Sequence, residues 1–358
     1  MTYSPHTPLK GRGTASNADS RYGLHRRETV DDGWNTLEEE PPRLATTVTV
    51  ETAKRILSRN ASPDIPFDQS INAYRGCEHG CIYCYARPTH AYMDLSPGLD
   101  FESKLFAKPD AARLLRSELR KRGYRCTPIA LGANTDPYQP IEKDWRITRQ
   151  ILEVLAETRH PVTITTKAAL VERDMDLLAQ LAADHLVQVQ ISITTLDKDL
   201  ARRLEPRASS PRRRLQAIES LSRAGVPVGV MVAPVIPVLT DSEMEAILSA
   251  AAQAGAVHAG YQLLRLPLEV AELFQAWLKE QEPLKAEHVM SRVRDAREGR
   301  DNDSRFETRQ LGTGAYAGLL RQRFRLAERK AGLAADFPAL NTALFKPPLL
   351  PGEQMSLF

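Results

Sequence analysis

The sequence predicts an α/β protein whose main domain is a partial (β/α)6 TIM-like barrel. Six short runs rich in β-branched residues are each followed by a helical pattern, with apolar residues three and four positions apart. Runs such as "VPVGVMVAP" are almost continuously apolar, as buried parallel strands are. Right-handed crossovers would wind these units in one direction. Six units are two short of a closed barrel, so we expect an open one, with a doubly wound open sheet as the alternative.

The element boundaries follow from these periodicities and from turn residues. The predicted strands are 69–74, 127–134, 161–166, 186–194, 226–234 and 259–266. The predicted helices are 109–122, 144–158, 172–184, 211–224, 241–254 and 268–280. Asp174 and Asp241 stand near helix starts and Gly225 follows a helix end, which agrees with these limits.

The segments outside the barrel differ from it in composition. Residues 1–44 are polar and lack periodicity, so we expect a largely disordered N-terminal segment. The barrel occupies 45–282, and the charged helical pattern of 283–340 predicts a C-terminal extension that packs across it. The Pro-rich residues 341–358 predict an extended tail, which ends in QMSLF.

Composition argues against several classes of protein. The chain has 358 residues, 42% of them hydrophobic, and no run approaches the length of about 18 apolar residues that a transmembrane helix needs. The N-terminus lacks the apolar core of a secretory signal, which predicts a cytoplasmic location and no membrane partner. The net charge of +3 does not by itself indicate nucleic-acid binding, although residues 202–214 contain six arginines.

Three of the four cysteines lie within the sixteen residues "RGCEHGCIYCYARPTH". Cys77, Cys81 and Cys84 follow the first predicted strand, at the end of the barrel where active sites of this fold lie. Three thiolates suit a [4Fe–4S] cluster with one iron that has no protein ligand, because ordinary electron-transfer clusters take four cysteines. A small molecule can bind an open iron, so the spacing favours a cluster that takes part in chemistry.

Two other uses of clustered thiols remain open on the sequence. A structural zinc site takes four ligands, commonly in two separated pairs, and would have to recruit Cys126, His79 or His90. Dithiol redox chemistry needs only two cysteines, usually beside a thioredoxin-like unit. Either use would make this a non-catalytic metal-binding or redox protein.

The cysteine loop also carries a family resemblance. Cys77, Cys81, Tyr83 and Cys84 resemble the C-x3-C-x-aromatic-C signature of the radical S-adenosylmethionine enzymes. The resemblance implies that the cysteines hold a [4Fe–4S] cluster and that S-adenosyl-L-methionine is the second cofactor. In that family, one-electron reduction of the bound cofactor releases a 5′-deoxyadenosyl radical, which abstracts a hydrogen atom from the substrate. An external electron donor is then a necessary partner.

The ends of several strands resemble a narrower group, the spore photoproduct lyase-like branch. These ends are "GANTDPYQPIEK", "TITTK" and "ISITT", and the resemblance covers roughly residues 60–280. It implies a lyase-like action on damaged or modified DNA, in a group distinct from the lyase itself. The alternative substrates are RNA, a protein or a small molecule.

Polar residues at strand ends are the candidates for binding S-adenosylmethionine, because they lie at the barrel mouth. Lys167 is expected to reach the carboxylate of the cofactor, Asn134 its methionyl part, and Ser192 its ribose or carboxylate. The backbone of Tyr83 is expected to pair with the adenine. The alternative role of the strand-end residues is to cap the next helix or to face solvent.

Two arginines are candidates for contact with the substrate. Arg207, in "LEPR", suits a substrate phosphate or a cofactor carboxylate, and Arg265, late in the sixth strand, suits the substrate cavity. Arg75 and His79 stand beside the cysteines, where charge and hydrogen bonds would tune the cluster potential. The chain departs from the lyase at Ala133, where the lyase has the cysteine that donates hydrogen, so that step does not carry over.

The last five residues carry a separate resemblance. "QMSLF" resembles the short peptide by which bacterial replication and repair proteins bind the DNA sliding clamp. Leu357 and Phe358 would be the apolar anchors, and Gln354 would fix the register through hydrogen bonds. The alternative is a tail that folds back on its own domain. The peptide is independent of the barrel motifs, yet it also indicates DNA.

Overall fold

The structure, a computed structural model, describes residues 11–22 and 44–349. A seven-stranded sheet lies at the centre of this part of the chain. The strands are β1 (Thr47–Val50), β2 (Leu57–Arg59), β3 (Gln69–Ile71), β4 (Tyr74–Arg75), β5 (Lys104–Ala107), β6 (Ile129–Leu131), β7 (Val162–Thr166), β8 (Val187–Ser192), β9 (Val228–Val235) and β10 (His258–Leu263). The helices are α1 (Leu99–Ser103), α2 (Ala111–Leu119), α3 (Glu142–Trp145), α4 (Ile147–Glu157), α5 (Met175–Ala183), α6 (Lys198–Leu204), α7 (Pro211–Arg223), α8 (Met244–Gln253), α9 (Glu269–Gln281), α10 (Ala286–Asp295) and α11 (Gly314–Lys330).

The order of the strands confirms the partial (β/α)6 barrel. The sheet runs β10-β9-β8-β7-β6-β3-β2, and the first six strands in this order pair in parallel. Because these six follow one another in chain order without a reversal, the doubly wound alternative is wrong. The seventh strand, β2, joins the edge antiparallel to β3.

The parallel strands bury one face against the helices. Val187, Val189 and Ile191 of β8 are fully buried, and they belong to the same apolar core as Leu178 and Leu181 of α5. Each such side chain stabilises the fold by about 1.5–3 kcal/mol. Gln188 and Gln190, which alternate with these residues, are half-buried and polar, so the inner side of the open barrel is hydrophilic along β8.

The first predicted strand, 69–74, is divided in the structure. Residues 69–71 form β3 in the barrel, whereas Tyr74 and Arg75 form β4 of a separate three-stranded sheet, ordered β1-β5-β4. Asn72 lies between the two, and its side chain accepts a hydrogen bond from the backbone N–H of Asn134 at 3.1 Å. A two-residue strand has no periodicity of its own, so the sequence did not reveal the second sheet.

Residues 11–22 belong to the N-terminal segment that is predicted to be largely disordered, and the structure describes them. They lie along the loop that follows β4, and Thr14 is only 7% exposed. Backbone groups of Gly13 and Thr14 donate hydrogen bonds to the side chain of Glu102. Polar contacts of this kind have no helical or strand period, so no sequence pattern predicted them. The rest of that segment, 1–10 and 23–43, lies outside the described residues.

Helices α10 and α11 form the predicted C-terminal extension. Helix α11 packs beside α8 through an ion pair between Arg323 and Glu245, 2.8 Å long. Phe324 of the same helix packs on Tyr261 of β10, with ring centroids 4.6 Å apart. No helix within 11–22 and 44–349 is both long enough and apolar enough to cross a membrane.

The residues that follow α11, as far as the structure describes them, cross the end of the barrel opposite to the cysteine loop. Phe337 stacks on His258, the first residue of β10, at 4.3 Å between ring centroids. Further along, the backbone N–H of Lys346 donates to Thr158, ahead of β7, and Phe345 packs on His160 at 5.2 Å. The clamp-like residues Gln354, Leu357 and Phe358 lie outside the described residues.

Candidate active site

The cysteine loop begins directly after β4 and turns at two glycines. Gly76 and Gly80 have φ values of +73° and +68°, a left-handed conformation that a side chain would strain. These turns place Cys77 and Cys84 against the same small apolar group, formed by Ala86 and Phe101. Cys77 and Cys81 are buried and Cys84 is half-buried, and the three thiols are close enough for the charges of Cys81 and Cys84 to act on Cys77.

The donor set fits a [4Fe–4S] cluster. Burial raises the pKa of Cys77, and the negative charges of Asp136 and of the other two cysteines raise it further. Burial likewise raises the pKa of Cys81 and of Cys84. Thiolates at these positions therefore depend on the positive charge of bound iron. Within the described ranges, no group of three or more His, Cys, Asp or Glu side chains is arranged to hold a single metal ion.

A fully buried ion pair between Arg87 and Glu102 holds the cysteine loop in place. Arg87 donates to the carbonyl oxygens of Cys81 at 2.9 Å and of Gly80 at 3.1 Å, and it pairs with Glu102 at 3.1 Å. Both charged side chains are 0% exposed. Buried charges are tolerated only when paired and hydrogen-bonded, so the loop and this pair depend on each other.

The other side of the loop is tied to the ends of β6 and β7. His79 contacts Asp136 at 3.3 Å, and the carboxylate of Asp136 also accepts hydrogen bonds from the hydroxyl of Thr166 and the backbone of Lys167. The side-chain amide of Gln139 adds two hydrogen bonds to the loop. Its oxygen accepts from the backbone N–H of Glu78, and its nitrogen donates to the carbonyl oxygen of Gly76. The strand ends and the loop therefore form one hydrogen-bonded unit.

A second buried network lies beside the loop, at the mouth of the barrel. The hydroxyl of Tyr83 bonds to the carboxylate of Glu205, which also accepts from Thr194 at 2.7 Å. Arg214 donates to the same carboxylate, and Lys167 approaches it at 3.4 Å. Lys167 also donates to the carbonyl of Ala233 at 3.1 Å. The carboxylate of Glu205 thus contacts two cationic side chains and two hydroxyl groups.

The charges of this network fix its protonation. Burial raises the pKa of Glu205, but the charges of Arg214 and Lys167 outweigh burial and hold that pKa well below its usual range. Burial and the charge of Glu205 raise the pKa of Tyr83 far above its usual value. Glu205 is therefore ionised and Tyr83 protonated at neutral pH, leaving a net positive pocket that suits a carboxylate ligand.

The predicted cofactor residues meet at this end of the barrel. Ser192 ends β8 and is 5% exposed, and its carbonyl accepts from Arg214 at 2.9 Å. Asn134 follows β6 and is half-buried, and Lys167 follows β7 with 15% of its side chain exposed. Tyr83 is buried between the loop and β8. Contact of these four with S-adenosylmethionine stays a prediction.

Two charged candidates prove to be engaged with carboxylates. Arg207 pairs with Glu78 at 2.7 Å, and its role toward a substrate phosphate or a cofactor carboxylate stays a prediction. Arg75 pairs with Glu51 at 2.7 Å on the outer side of the loop. Arg265, in contrast, lies over the ring of Tyr85 at 5.6 Å from the centroid.

The histidines suggested for zinc point elsewhere. His79 is paired with Asp136, as described above. His90 is buried with its Nε2 at 2.9 Å from the carbonyl of Lys104. Cys126 lies in the loop ahead of β6, toward the opposite end of the barrel.

Sequence reasoning missed five residues of this site. They are charged or amide side chains that hold the functional groups in place: Arg87, Glu102, Gln139, Glu205 and Arg214. Arg214 lies in the basic run 202–214, which reads as a solvated helix face, yet it is 1% exposed. The only signal for Glu205 is its place in "LEPR".

This fold and loop define a radical S-adenosylmethionine enzyme. The model of the Radical SAM superfamily matches residues 71–251, and the chain belongs to that superfamily. Its cofactors are a [4Fe–4S] cluster and S-adenosylmethionine, as the family resemblance of the cysteine loop implied. When bound, they supply the one-electron chemistry that generates a 5′-deoxyadenosyl radical. The thiols of Cys77, Cys81 and Cys84 are the predicted ligands of the cluster, and the polar pocket lies beside them.

Related sequences occur in bacteria and archaea. An uncharacterized protein of Mycobacterium tuberculosis is 39% identical over 233 residues, which cover 64% of this chain and 67% of that protein. An uncharacterized protein of Methanocaldococcus jannaschii is 31% identical over 173 residues, which cover 48% of this chain and 62% of that protein.

Solved structures of spore photoproduct lyase share the fold. The lyase complexed with dinucleoside spore photoproduct matches with a TM-score of 0.53 and 16% identity, over 80% of each chain. A lyase mutant with bound AdoMet and dinucleoside spore photoproduct matches with a TM-score of 0.52 and 17% identity, again over 80% of each chain. At such identity the likeness is one of fold.

Proposed function

We propose that this enzyme abstracts a hydrogen atom from damaged or modified DNA. The observation that carries the proposal is the fold shared with spore photoproduct lyase over 80% of each chain, with the three-thiol loop at the barrel mouth. The open, hydrophilic inner side of the barrel supports a polar substrate. RNA, a protein or a small molecule is the alternative substrate class. The cluster chemistry requires an external electron donor, and reduced thiols favour the cytoplasm.

The radical chemistry is tested by the release of 5′-deoxyadenosine. We expect the protein, reconstituted anaerobically with iron and sulfide and then reduced, to cleave S-adenosylmethionine. Cys77→Ala, Cys81→Ala and Cys84→Ala should each reduce the product to background, because each removes one of three cluster ligands. Chromatographic measurement of 5′-deoxyadenosine, with iron content measured in parallel, checks this.

Cys126→Ala is the matched control, since Cys126 lies away from the loop. It should retain wild-type iron content and product. Full activity in any of the three loop variants would contradict the assignment of the ligands. Repeating the assay with irradiated and with undamaged duplex DNA tests the substrate class: release of product that rises only with irradiated DNA supports repair, and no response to either DNA counts against it.

We also propose that the C-terminal peptide binds the bacterial sliding clamp. The resemblance of QMSLF to clamp-binding peptides supports this proposal, and Lys346, close to the last described residue, bonds to Thr158 at the end of the barrel opposite to the mouth. Deleting residues 354–358 should abolish clamp binding in surface plasmon resonance, because Leu357 and Phe358 are the apolar anchors. The matched control is Ser356→Ala, which leaves Gln354 and both anchors in place. Unchanged binding after the deletion would overturn the proposal.

A further inference from the structure

Tyr85 forms a shelf beside the cysteine loop. It follows Cys84 directly, and its hydroxyl donates to the carbonyl oxygen of Ala133, just beyond the end of β6. Although this contact fixes the ring, the residue is 43% exposed at the mouth of the barrel. An exposed aromatic ring held at both ends presents a flat surface on which a base or a sugar can stack.

Arg265 lies over this shelf. It follows β10 by two residues, and its guanidinium carbon is 5.6 Å from the centroid of the Tyr85 ring. Within residues 11–22 and 44–349, its buried Nε has no hydrogen-bond partner and its guanidinium forms no ion pair. Among the residues that the structure describes, the acidic group that acts on it electrostatically is Asp64, which is already bound by Arg309 at 2.5 and 2.6 Å.

A half-buried guanidinium in this state is unfavourable by itself. Burial and the neighbouring charge of Arg309 lower the pKa of Arg265, and Tyr85 and Asp64 offset this only in part, so the protein compensates the charge incompletely. A charged group that is partly removed from water and unpaired costs free energy unless an anion reaches it. A bound anion at this position would supply the missing partner.

We propose that Arg265 and Tyr85 form the phosphate-binding part of the substrate site, so that the enzyme recognises a nucleotide through a phosphodiester. This inference rests on the proposed action on DNA and names the group that is bound. Guanidinium groups bind phosphate through two parallel hydrogen bonds, and the ring beneath supports the attached sugar or base.

Besides the substrate phosphodiester, the carboxylate of S-adenosylmethionine is an anion that Arg265 could bind at the barrel mouth. The positive pocket of Lys167, Glu205 and Arg214 lies at the ends of β7 and β8, whereas Arg265 follows β10, with β9 between them. The mouth therefore has two separate cationic sites for two anions. The pocket of Lys167, Glu205 and Arg214 suits the carboxylate of the cofactor, and Arg265 suits the phosphate of the substrate.

The test compares two irradiated 12-residue DNA strands, one with normal phosphodiesters and one with a neutral methylphosphonate next to the lesion. We expect Arg265→Gln to bind the normal strand about 10-fold more weakly than wild type, the loss of a charge-assisted hydrogen bond. The variant should bind both strands equally, whereas wild type prefers the normal one. Such non-additivity identifies contact with that phosphate. Fluorescence anisotropy gives the affinities.

Two further variants complete the experiment. Arg265→Lys, which keeps the charge, should recover part of the preference, and it remains informative if the glutamine variant folds poorly. Arg292→Gln is the charge-matched control, because Arg292 is exposed and pairs with Asp295 on its own helix. It should behave as wild type. The affinity for S-adenosylmethionine should stay unchanged in Arg265→Gln.

The outcomes separate this inference from the proposed function. Wild type that binds neither strand would overturn the DNA substrate, and the inference with it. Wild type that binds the strands while Arg265→Gln keeps both affinities would overturn the inference alone. A loss of S-adenosylmethionine binding in Arg265→Gln would reassign the residue to the cofactor and also overturn it.

Discussion

Replacing Gly13 with alanine is expected to release the N-terminal strap, residues 12–16, from the cysteine loop. A Cβ atom at Gly13 would lie 1.6 Å from the carbonyl oxygen of Gly80, a backbone atom that cannot move aside without disturbing the loop. The strap would then withdraw its two backbone hydrogen bonds from Glu102. Hydrogen bonds to a buried charge contribute about 1.5–3 kcal/mol each, so the free energy of unfolding should fall by about 3 kcal/mol.

The consequence for the cluster follows from the position of Arg87. This side chain joins Glu102 to the carbonyls of Gly80 and Cys81, so a disturbed Glu102 loosens the backbone that carries the thiols. We expect reconstituted Gly13→Ala protein to hold less than half the iron of wild type, and its visible absorption to bleach faster in air. Urea denaturation and iron analysis measure the two effects.

A second glycine provides the control for this prediction. Gly318 lies in α11, and a Cβ there would meet no atom within 4 Å. Gly318→Ala should therefore keep full iron content, with stability unchanged or raised by up to about 1 kcal/mol through helix propensity. If Gly13→Ala matched it in both measurements, the strap would have no part in holding the loop.

Replacing Glu205 with glutamine is expected to destabilise the barrel mouth strongly. The carboxylate pairs with Arg214 and Lys167 and accepts hydrogen bonds from Tyr83 and Thr194. Glutamine has the same shape but no charge, so two cations would be left without a buried partner. Breaking a buried pair costs about 3–5 kcal/mol, and we expect a loss of that size in urea denaturation. Binding of S-adenosylmethionine should weaken as well, because the pocket would lose its order.

An exposed pair gives the matched control. Glu219 and Arg223 form an i,i+4 ion pair whose side chains are 44% and 76% exposed. Glu219→Gln removes the same charge and should change stability by less than about 0.5 kcal/mol, because surface pairs contribute little. Equal effects of the two substitutions would show that burial of the Glu205 network adds nothing to stability.

The effect of Glu205 should also depend on pH in one direction. Its pKa is lowered on folding from an ordinary value of 4.5, so the stabilisation is complete above that value. As pH falls below 4.5 toward the lower folded-state pKa, the unfolded chain takes up the proton first and the stabilisation is lost. The gap in stability between wild type and Glu205→Gln should therefore be constant near neutrality and narrow progressively in acid. A gap that widened in acid would contradict the ionised state of this carboxylate.

The boundaries of the regular elements show where local patterns suffice. The predicted strand 226–234 corresponds to Val228–Val235 and the predicted helix 211–224 to Pro211–Arg223, because long apolar periods and capping residues determine both. Helix α6 was missed, although the side chain of Asp197 caps it through Asp199 N and Leu200 N. Seven residues are too few to establish a period. The predicted helix 144–158 is interrupted at Arg146, whose φ of +53° no pattern indicated.

By itself the sequence determined the six β/α units and the three closely spaced cysteines predicted to hold the cluster, since periodicity and cysteine spacing depend on residues close together in the chain. Only the tertiary structure decided which charged residues are buried and what they hold. Glu102 meets Gly13 across 89 positions, and Glu205 meets Tyr83 across 122. A charged side chain has the same local pattern whether it faces solvent or a buried partner. Its role therefore depends on which distant segment folds against it, and that is a property of the whole packed chain.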